Sequence, residues 1–240
     1  FAAKNLPGAI SVIAMSNKNN LFNAPESYME KISYPKGIDH NAIDLDFSLK
    51  KNLSNLADSK NKKFENLRIC ILDRPRHKKI IDDAKSLNID VKLITDGDVS
   101  GALLVTDENH KIDLFLGTGG GPEGVLAACA LDAYSCGFQG RFIFDTDELK
   151  KRASEMGIND FYKKYKLDEI VKGDSLFCAS GITKGDLVNG LELRDNKMVV
   201  NTLLTHKSKN TKKIITREID IKKWYLFLVK SGKNIKHPNV

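Results

Sequence analysis

Arg74-Pro75-Arg76-His77 sets two guanidinium groups on either side of a proline. A planar guanidinium fork fits two oxygens of a phosphate or carboxylate at once, and proline stiffens the backbone that carries it. The four residues read as a phosphate-binding loop, or as a surface turn whose arginines find local carboxylates. Asp96-Gly97-Asp98 puts two carboxylates two residues apart. They suit sugar hydroxyls or a hard cation, or else a turn aspartate followed by a helix cap. The third stretch is GTGGGPEGVLAA, 117 to 128. Gly119-x-Gly121-x-x-Gly124 has the spacing of a dinucleotide-binding turn, and Asp145 lies at the distance expected of an acid that holds a ribose. Two residues oppose that use. Pro122 removes a backbone donor. Glu123 puts negative charge at the helix start, where a pyrophosphate would carry its own. A carboxylate there either favours the helix dipole or holds a divalent cation, Mg²⁺ or Mn²⁺, that bridges to phosphate.

These loops need elements to hold them. Ala9 to Met15 reads as a strand, NKNN as a polar turn, and Leu21-Phe22 as the return. Tyr28 to Ile32 is expected to extend the same antiparallel sheet. Leu49, Leu53, Leu56 and Ala57 have helical spacing. The polar connector from Asp58 to Glu65 marks the expected boundary. Residues 1–62 would then be the remainder of an N-terminal α+β lobe, and 63–240 a C-terminal α/β lobe. From there strands and helices alternate. LRICILD (67–73), VKLIT (91–95), IDLFLG (112–117) and RFIFD (141–145) read as strands. Helices are expected around Ile80 to Leu87, from Asp98 as N-cap, and over Pro122 to Tyr134. The pattern predicts an α/β fold with a mostly parallel sheet covered on both faces. Its ligand groups should gather at the carboxyl ends of the strands. The last third is different: a charged helical region from Asp147 to Tyr165, then DSLFCASGI and three antiparallel strands, MVVNTLLTHK, TKKIITREIDI and KWYLFLV. The tail SGKNIKHPNV reads as loose.

Composition narrows the function classes. The chain has 240 residues, 41% of them hydrophobic, which is enough for an ordinary core. A net charge of +7 invites a nucleic-acid reading. However, only seven of the cations are arginines, and the lysines are dispersed as on a solvated surface. An anionic small substrate is the better use for the arginines, and neither nucleic acid nor membrane is expected as a partner. No apolar run reaches the length of a membrane span. The four cysteines form no CxxC pair and read as buried free thiols in a reducing cytosol. The five histidines show no HxH or HExxH, so a histidine-built metal site is not expected. The chain opens on Phe1 inside an apolar pattern, as a fragment or processed product would.

Six motifs in order resemble the class II fructose-1,6-bisphosphatases, a bacterial family with some members that also hydrolyse sedoheptulose 1,7-bisphosphate. They are NAPESYMEK (23–31), ILDRPRH (71–77), ITDGD (94–98), GTGGGPEGVLAA (117–128), GFQGRF (137–142) and SGITKGDL (180–187). The resemblance runs from Phe1 to the strands near Arg217. It implies a layered, inositol-phosphatase-like sugar-phosphatase fold in a cytoplasmic homo-oligomer, dimer or tetramer. It also implies hydrolysis, dependent on Mn²⁺ or Mg²⁺, of the 1-phosphate of fructose 1,6-bisphosphate. By resemblance Glu123 is a metal ligand and Gly120 lies against substrate. Tyr28 contacts a phosphate, and Arg74, Pro75 and Arg76 face phosphate or sugar oxygens. Asp96, Gly97 and Asp98 receive sugar hydroxyls, with Lys184 as a weaker candidate for phosphate. Two positions depart from the family: Arg74 stands where lysine is usual, and Gly121 where alanine is common. The family's upstream acidic motif, resembling DPIEGT, and its further metal ligands would lie before Phe1. The isolated chain is therefore expected to bind metal poorly and turn over little, and no residue in it is assigned as catalytic. Two alternatives remain at this point: an NAD-dependent oxidoreductase built on the glycine spacing and Asp145, and a non-catalytic sugar-phosphate-binding module.

Overall fold

The computed structural model of the chain describes residues 2–223. The expected strand KWYLFLV and the tail SGKNIKHPNV lie, from Trp224 onward, outside the described residues. The elements run β1 (Ile10–Ser16), β2 (Tyr28–Tyr34), α1 (Leu49–Lys60), β3 (Arg68–Leu72), α2 (Lys78–Ser86), β4 (Asp90–Ile94), α3 (Asp98–Leu103), β5 (Leu114–Gly120) and α4 (Gly121–Ala133). They continue with β6 (Gly137–Ile143), α5 (Asp147–Glu155), β7 (Lys164–Lys166), α6 (Leu167–Ile170), β8 (Ser175–Gly181), β9 (Glu192–Arg194), β10 (Lys197–His206) and β11 (Thr211–Asp220). Local chemistry sets several ends. The Ser48 hydroxyl accepts the Lys51 N–H at the start of α1, and Asn61 closes it at φ 48°.

The chain divides into two compact units. The larger comprises residues 13–177 and 205–212. Among the described residues, the smaller takes 2–12, 178–204 and 213–223. The connector expected to separate an N-terminal from a C-terminal lobe, Asp58 to Glu65, lies inside the larger unit. The reason is β2: it is inserted between β5 and β6 in a six-stranded sheet of order β4-β3-β5-β2-β6-β7. Residues before the connector thus share one sheet with residues after it.

The same insertion corrects two further expectations. β2 does not extend the sheet of β1, which belongs to the other sheet, β1-β8-β10-β11 with β9 on β10. The six-stranded sheet is also mixed rather than mostly parallel. β3 pairs in parallel with β4 and β5, but β2 is antiparallel to both β5 and β6, and β7 is antiparallel to β6. β3 to β6 do all point the same way, as alternating strands and helices require. β2 splits β5 from β6. Burial explains the place of β2. Met29, Lys31 and Ser33 are buried on one face, and Ile32 and Tyr34 on the other. Such a strand needs cover on both faces, whereas β1 has no buried residue.

Period-two alternation assigns the faces. Ile32, Tyr34, Ile69, Ile71, Leu114 and Leu116 pack with Leu53 and Leu56 of α1 and Ile81 and Ala84 of α2. Fully burying each such leucine favours folding by roughly 1.5–3 kcal/mol. α3 and α4 cover the opposite face, where the Ser33 hydroxyl donates to the Ala102 carbonyl at 2.9 Å. α4 is apolar all round, and ten of its 13 residues are buried, so its first turn is anchored by the core.

The edge of the sheet where β3 and β5 begin is held by Asp113, whose side chain is 2% exposed. Its carboxylate accepts from Lys60 Nζ at 2.5 Å, Lys62 Nζ at 2.6 Å and the Arg68 N–H at 2.9 Å. Burial pushes this carboxyl up, but the three donors outweigh it and hold it below its ordinary value of 3.8. A depressed folded-state pKa contributes stability that is present above pH 3.8 and lost as pH falls through the lower folded value. Asp113→Asn is therefore expected to lower the urea midpoint at pH 7, and the gap from wild type should close below about pH 4. A gap unchanged down to pH 2.5 would refute this.

In the smaller unit the Thr183 hydroxyl donates to the Leu6 carbonyl at 2.7 Å and accepts the Ala9 N–H at 2.9 Å. The Lys184 carbonyl accepts the Gly8 N–H at 2.9 Å.

Candidate active site

Three parallel strands end at one edge of the six-stranded sheet, and β2 starts there, with Tyr28 opposite Gly120. After β3 the chain passes through Arg74 into a single turn of 3₁₀ helix, Pro75–His77, with proline in its first positions. After β4 it turns through Gly97, at φ 85°, a left-handed conformation that favours glycine. Gly97 is the N-cap of α3, so Asp98 is not the cap expected from the sequence. It is the first helical residue, and its carboxylate is directed to Lys31 instead. After β5 no linker intervenes: Gly120 is extended and Gly121-Pro122-Glu123 is already helix.

The loops are tied together by charge. Arg76 donates from Nε and Nη2 to the Thr118 carbonyl, at 2.9 and 2.7 Å. Its guanidinium carbon stands 5.2 Å from the centroid of the Tyr28 ring, in cation–π range. Tyr28 is 54% exposed. Arg74 Nη2 lies 3.3 Å from Asp96 Oδ1. Arg76 Nη1 has no protein hydrogen bond among the described residues, so the exposed guanidinium keeps donors for an anionic ligand. Arg76 also lines a cleft of about 340 Å³ with Glu30, Phe47, Lys79 and Thr118, within the size range of small-ligand pockets.

Behind these loops lies a group that sequence reading did not single out. Lys31 is 1% exposed and its ammonium is bonded to Asp98, itself 12% exposed. Burial pushes the Lys31 ammonium down in pKa, and the negative charges of Asp98 and Glu123 pull it back up. The signal was present in YMEKISY, where alternation puts Lys31 on the same face as Met29 and Ser33. A lysine on a buried strand face requires an acid nearby. Two glycines leave room for this arrangement. A Cβ on Gly119 would overlap the Asp98 carboxylate, and one on Gly120 would overlap the Glu123 carboxylate.

Glu123 is exposed and makes no hydrogen bond or ion pair among the described residues. A hard oxygen donor free of protein hydrogen bonds, lying over backbone stripped of Cβ, fits one ligand of Mg²⁺ or Mn²⁺. Among the described residues no three His, Cys, Asp or Glu side chains are grouped to hold a metal. The described residues thus offer one candidate oxygen, on Glu123, and no complete metal site.

His77, the last residue of the arginine loop, is buried, 4% exposed. Its Nδ1 lies 2.8 Å from the Leu72 carbonyl and its Nε2 accepts the Thr118 N–H at 2.7 Å. Since a carbonyl only accepts, the proton sits on Nδ1 and the ring is neutral. Burial, followed by the charges of Arg76 and Arg74, lowers its pKa against the opposing pull of the Leu72 carbonyl.

Residues 1–219 match the family described as bacterial fructose-1,6-bisphosphatase, glpX-encoded. The chain belongs to this family. Among its relatives, a fructose-1,6-bisphosphatase class 2 of Haemophilus influenzae is 38% identical over 232 residues, 89% of this chain and 68% of the relative. A D-fructose 1,6-bisphosphatase class 2/sedoheptulose 1,7-bisphosphatase of a Synechococcus strain (JA-3-3Ab) is 34% identical, covering 90% of this chain and 65% of the relative. A fructose-1,6-bisphosphatase 2 class 2 of Escherichia coli K12 is 34% identical, covering 90% and 71%. The chain spans about two thirds of the length of these curated relatives.

In this member of the family the structure brings together Tyr28, Arg74, Pro75, Arg76, Asp96, Gly97, Asp98, Gly120 and Glu123, all in the larger unit. Lys184 lies in the smaller unit, with an exposed side chain. Membership of a phosphatase family displaces the oxidoreductase reading. The four cysteines are free thiols, three buried and Cys178 partly so. Among the described residues, no helix is long and apolar enough to cross a membrane.

Proposed function

We propose that this chain is the sugar-phosphate-binding portion of a metal-dependent fructose-1,6-bisphosphatase. The complete polypeptide hydrolyses the 1-phosphate of fructose 1,6-bisphosphate to give fructose 6-phosphate and phosphate, with sedoheptulose 1,7-bisphosphate as a second candidate substrate. The observation that carries this reading is the convergence, in a member of this family, of two arginines, two aspartates and a Glu123 carboxylate free of protein hydrogen bonds on one edge of a sheet.

In this reading Arg74 and Arg76 take phosphate oxygens, and Pro75 stiffens the loop that presents them. Tyr28 lies against the same phosphate. Asp96 and Asp98 accept sugar hydroxyls across the Gly97 turn, and Gly120 lets the substrate approach the backbone. Glu123 contributes one oxygen to Mn²⁺ or Mg²⁺. Such a cation, when bound, polarises the phosphoryl group and makes a bound water acidic enough to attack near neutral pH. The chain's own groups orient the bisphosphate and neutralise its charge. Lys31 donates to Asp98 and fixes the direction of its carboxylate. The same reading takes the helix-covered sheet as belonging to a layered, inositol-phosphatase-like fold, in a cytoplasmic homo-oligomer.

Phosphate release from fructose 1,6-bisphosphate, with and without Mn²⁺, tests the proposal. It should be run on the 240-residue chain and on the complete polypeptide with any residues upstream of Phe1. Because the described residues offer one metal ligand, the 240-residue chain is expected to release little or none, and the complete polypeptide to release phosphate only with metal. Robust release by the short chain would refute the single-ligand account. Absence of release by both, with fructose 1,6-bisphosphate still bound, would leave a non-catalytic sugar-phosphate-binding module.

A further inference from the structure

We infer that His77 is a positioning residue: its neutral Nδ1–H tautomer ties the end of β3 to Thr118 and so sets the carbonyl on which Arg76 rests. This deepens the phosphatase reading and rests on it for the role of Arg76.

β3 and β5 share only a short ladder. They pair at Ile69↔Leu114 and Cys70↔Phe115, and β3 stops at Leu72 while β5 runs on to Gly120. Beyond Leu72, β5 would present unpaired backbone groups at the ligand-facing edge. Two side chains of the arginine loop take the place of the missing strand. His77 Nε2 accepts the Thr118 N–H, and Arg76 Nε and Nη2 donate to the Thr118 carbonyl. The other ring nitrogen of His77 returns to the Leu72 carbonyl. The imidazole is thus a strut between two strand ends. It is packed closely enough that a Cβ on Gly117 would lie 3.2 Å from the ring carbon between its nitrogens. With Thr118 held on its N–H side, its carbonyl is a fixed acceptor, and the Arg76 guanidinium is held over Tyr28. A guanidinium held before the ligand arrives loses less entropy on binding.

A buried, satisfied histidine of purely structural value would make the same hydrogen bonds. The two conservative replacements separate the cases, because each keeps one bond. The His77→Asn amide nitrogen reaches the place of Nδ1 and retains the donor to Leu72. The His77→Gln amide oxygen reaches the place of Nε2 and retains the acceptor for Thr118. In the complete polypeptide, His77→Asn is expected to raise KM for fructose 1,6-bisphosphate about tenfold with kcat changed less than about threefold. His77→Gln should stay within about threefold of wild type in both. Equal KM effects from the two, or none from either, in protein shown folded by its thermal transition, would overturn the inference.

A readout independent of turnover distinguishes this failure from failure of the phosphatase reading. In the 240-residue chain, the Arg76 Nε–H resonance should be protected from water exchange in wild type and His77→Gln, and exchange-broadened in His77→Asn. If wild type releases no phosphate yet this pattern holds, the positioning stands and the assigned reaction falls. Protection in all three proteins would overturn the positioning itself.

Discussion

Lys31→Met is expected to destabilise the chain by about 3–5 kcal/mol, because it strips the cation from a mostly buried carboxylate. For a unit of this size that corresponds to roughly 6–20 °C in melting temperature, at about 2–4 °C per kcal/mol. The side chain it replaces is 1% exposed and bonded to Asp98, which is 12% exposed and backed by Gly119. Asp98 is then left without its cation in a poorly solvated place. Removing the charge from both sides should be gentler: Lys31→Met with Asp98→Asn is expected to recover more than half of the loss. Thermal or urea unfolding of the two single variants and the double variant measures the coupling directly. A loss below about 1 kcal/mol in Lys31→Met would mean that the pair gives no net stability beyond that of an exposed one.

Glu123→Gln should do the reverse, sparing the fold and removing the activity. Glu123 makes no protein hydrogen bond among the described residues, so stability is expected to change by about 1 kcal/mol or less, from the helix dipole and its attraction to Lys31. In the complete polypeptide, metal-dependent phosphate release should fall at least a hundredfold. Outer-shell changes at metal sites already cost about 10–100-fold, and under the proposed assignment this one alters a ligand. Gly120→Ala supplies an independent check without touching a charge. Its methyl group would overlap the Glu123 carboxylate, which must then move. The Mn²⁺ concentration for half-activation should rise in Gly120→Ala while the melting temperature stays near wild type. Near-normal turnover in Glu123→Gln would count decisively against a metal at this position.

The candidate site was legible in the sequence where its residues are local. Arg74-Pro75-Arg76, Asp96-Gly97-Asp98 and the glycine loop each follow an apolar strand. The rule that ligand groups gather at the carboxyl ends of parallel strands placed them on one edge. The structure has β3, β4 and β5 ending there. Tyr28 entered by resemblance alone, and its place opposite Gly120 depends on β2 running antiparallel to β5. What was missed shares one cause. Lys31 and His77 act through partners 67 and 41 residues away along the chain, and no periodicity reports such distances. Asp98 has the position of a helix cap because it precedes an apolar run. It does not cap because Lys31, on another strand, offers a stronger partner than an N–H of its own first turn.

Residue order alone fixes the alternation of strands and helices from Leu67 to Ile143, the free thiols, and the charged loops at strand ends. These follow from periodicity, turn chemistry and residue type, all set within a few neighbouring residues. It took the assembled sheet to establish that β2 splits β5 from β6, that the connector at Asp58 to Glu65 separates no lobes, and which residues stand behind the loops. A strand's alternation says which of its faces is buried but not which strand will accept its backbone hydrogen bonds. That choice is made by the whole sheet, when β2 finds helices for both faces and strands for both edges.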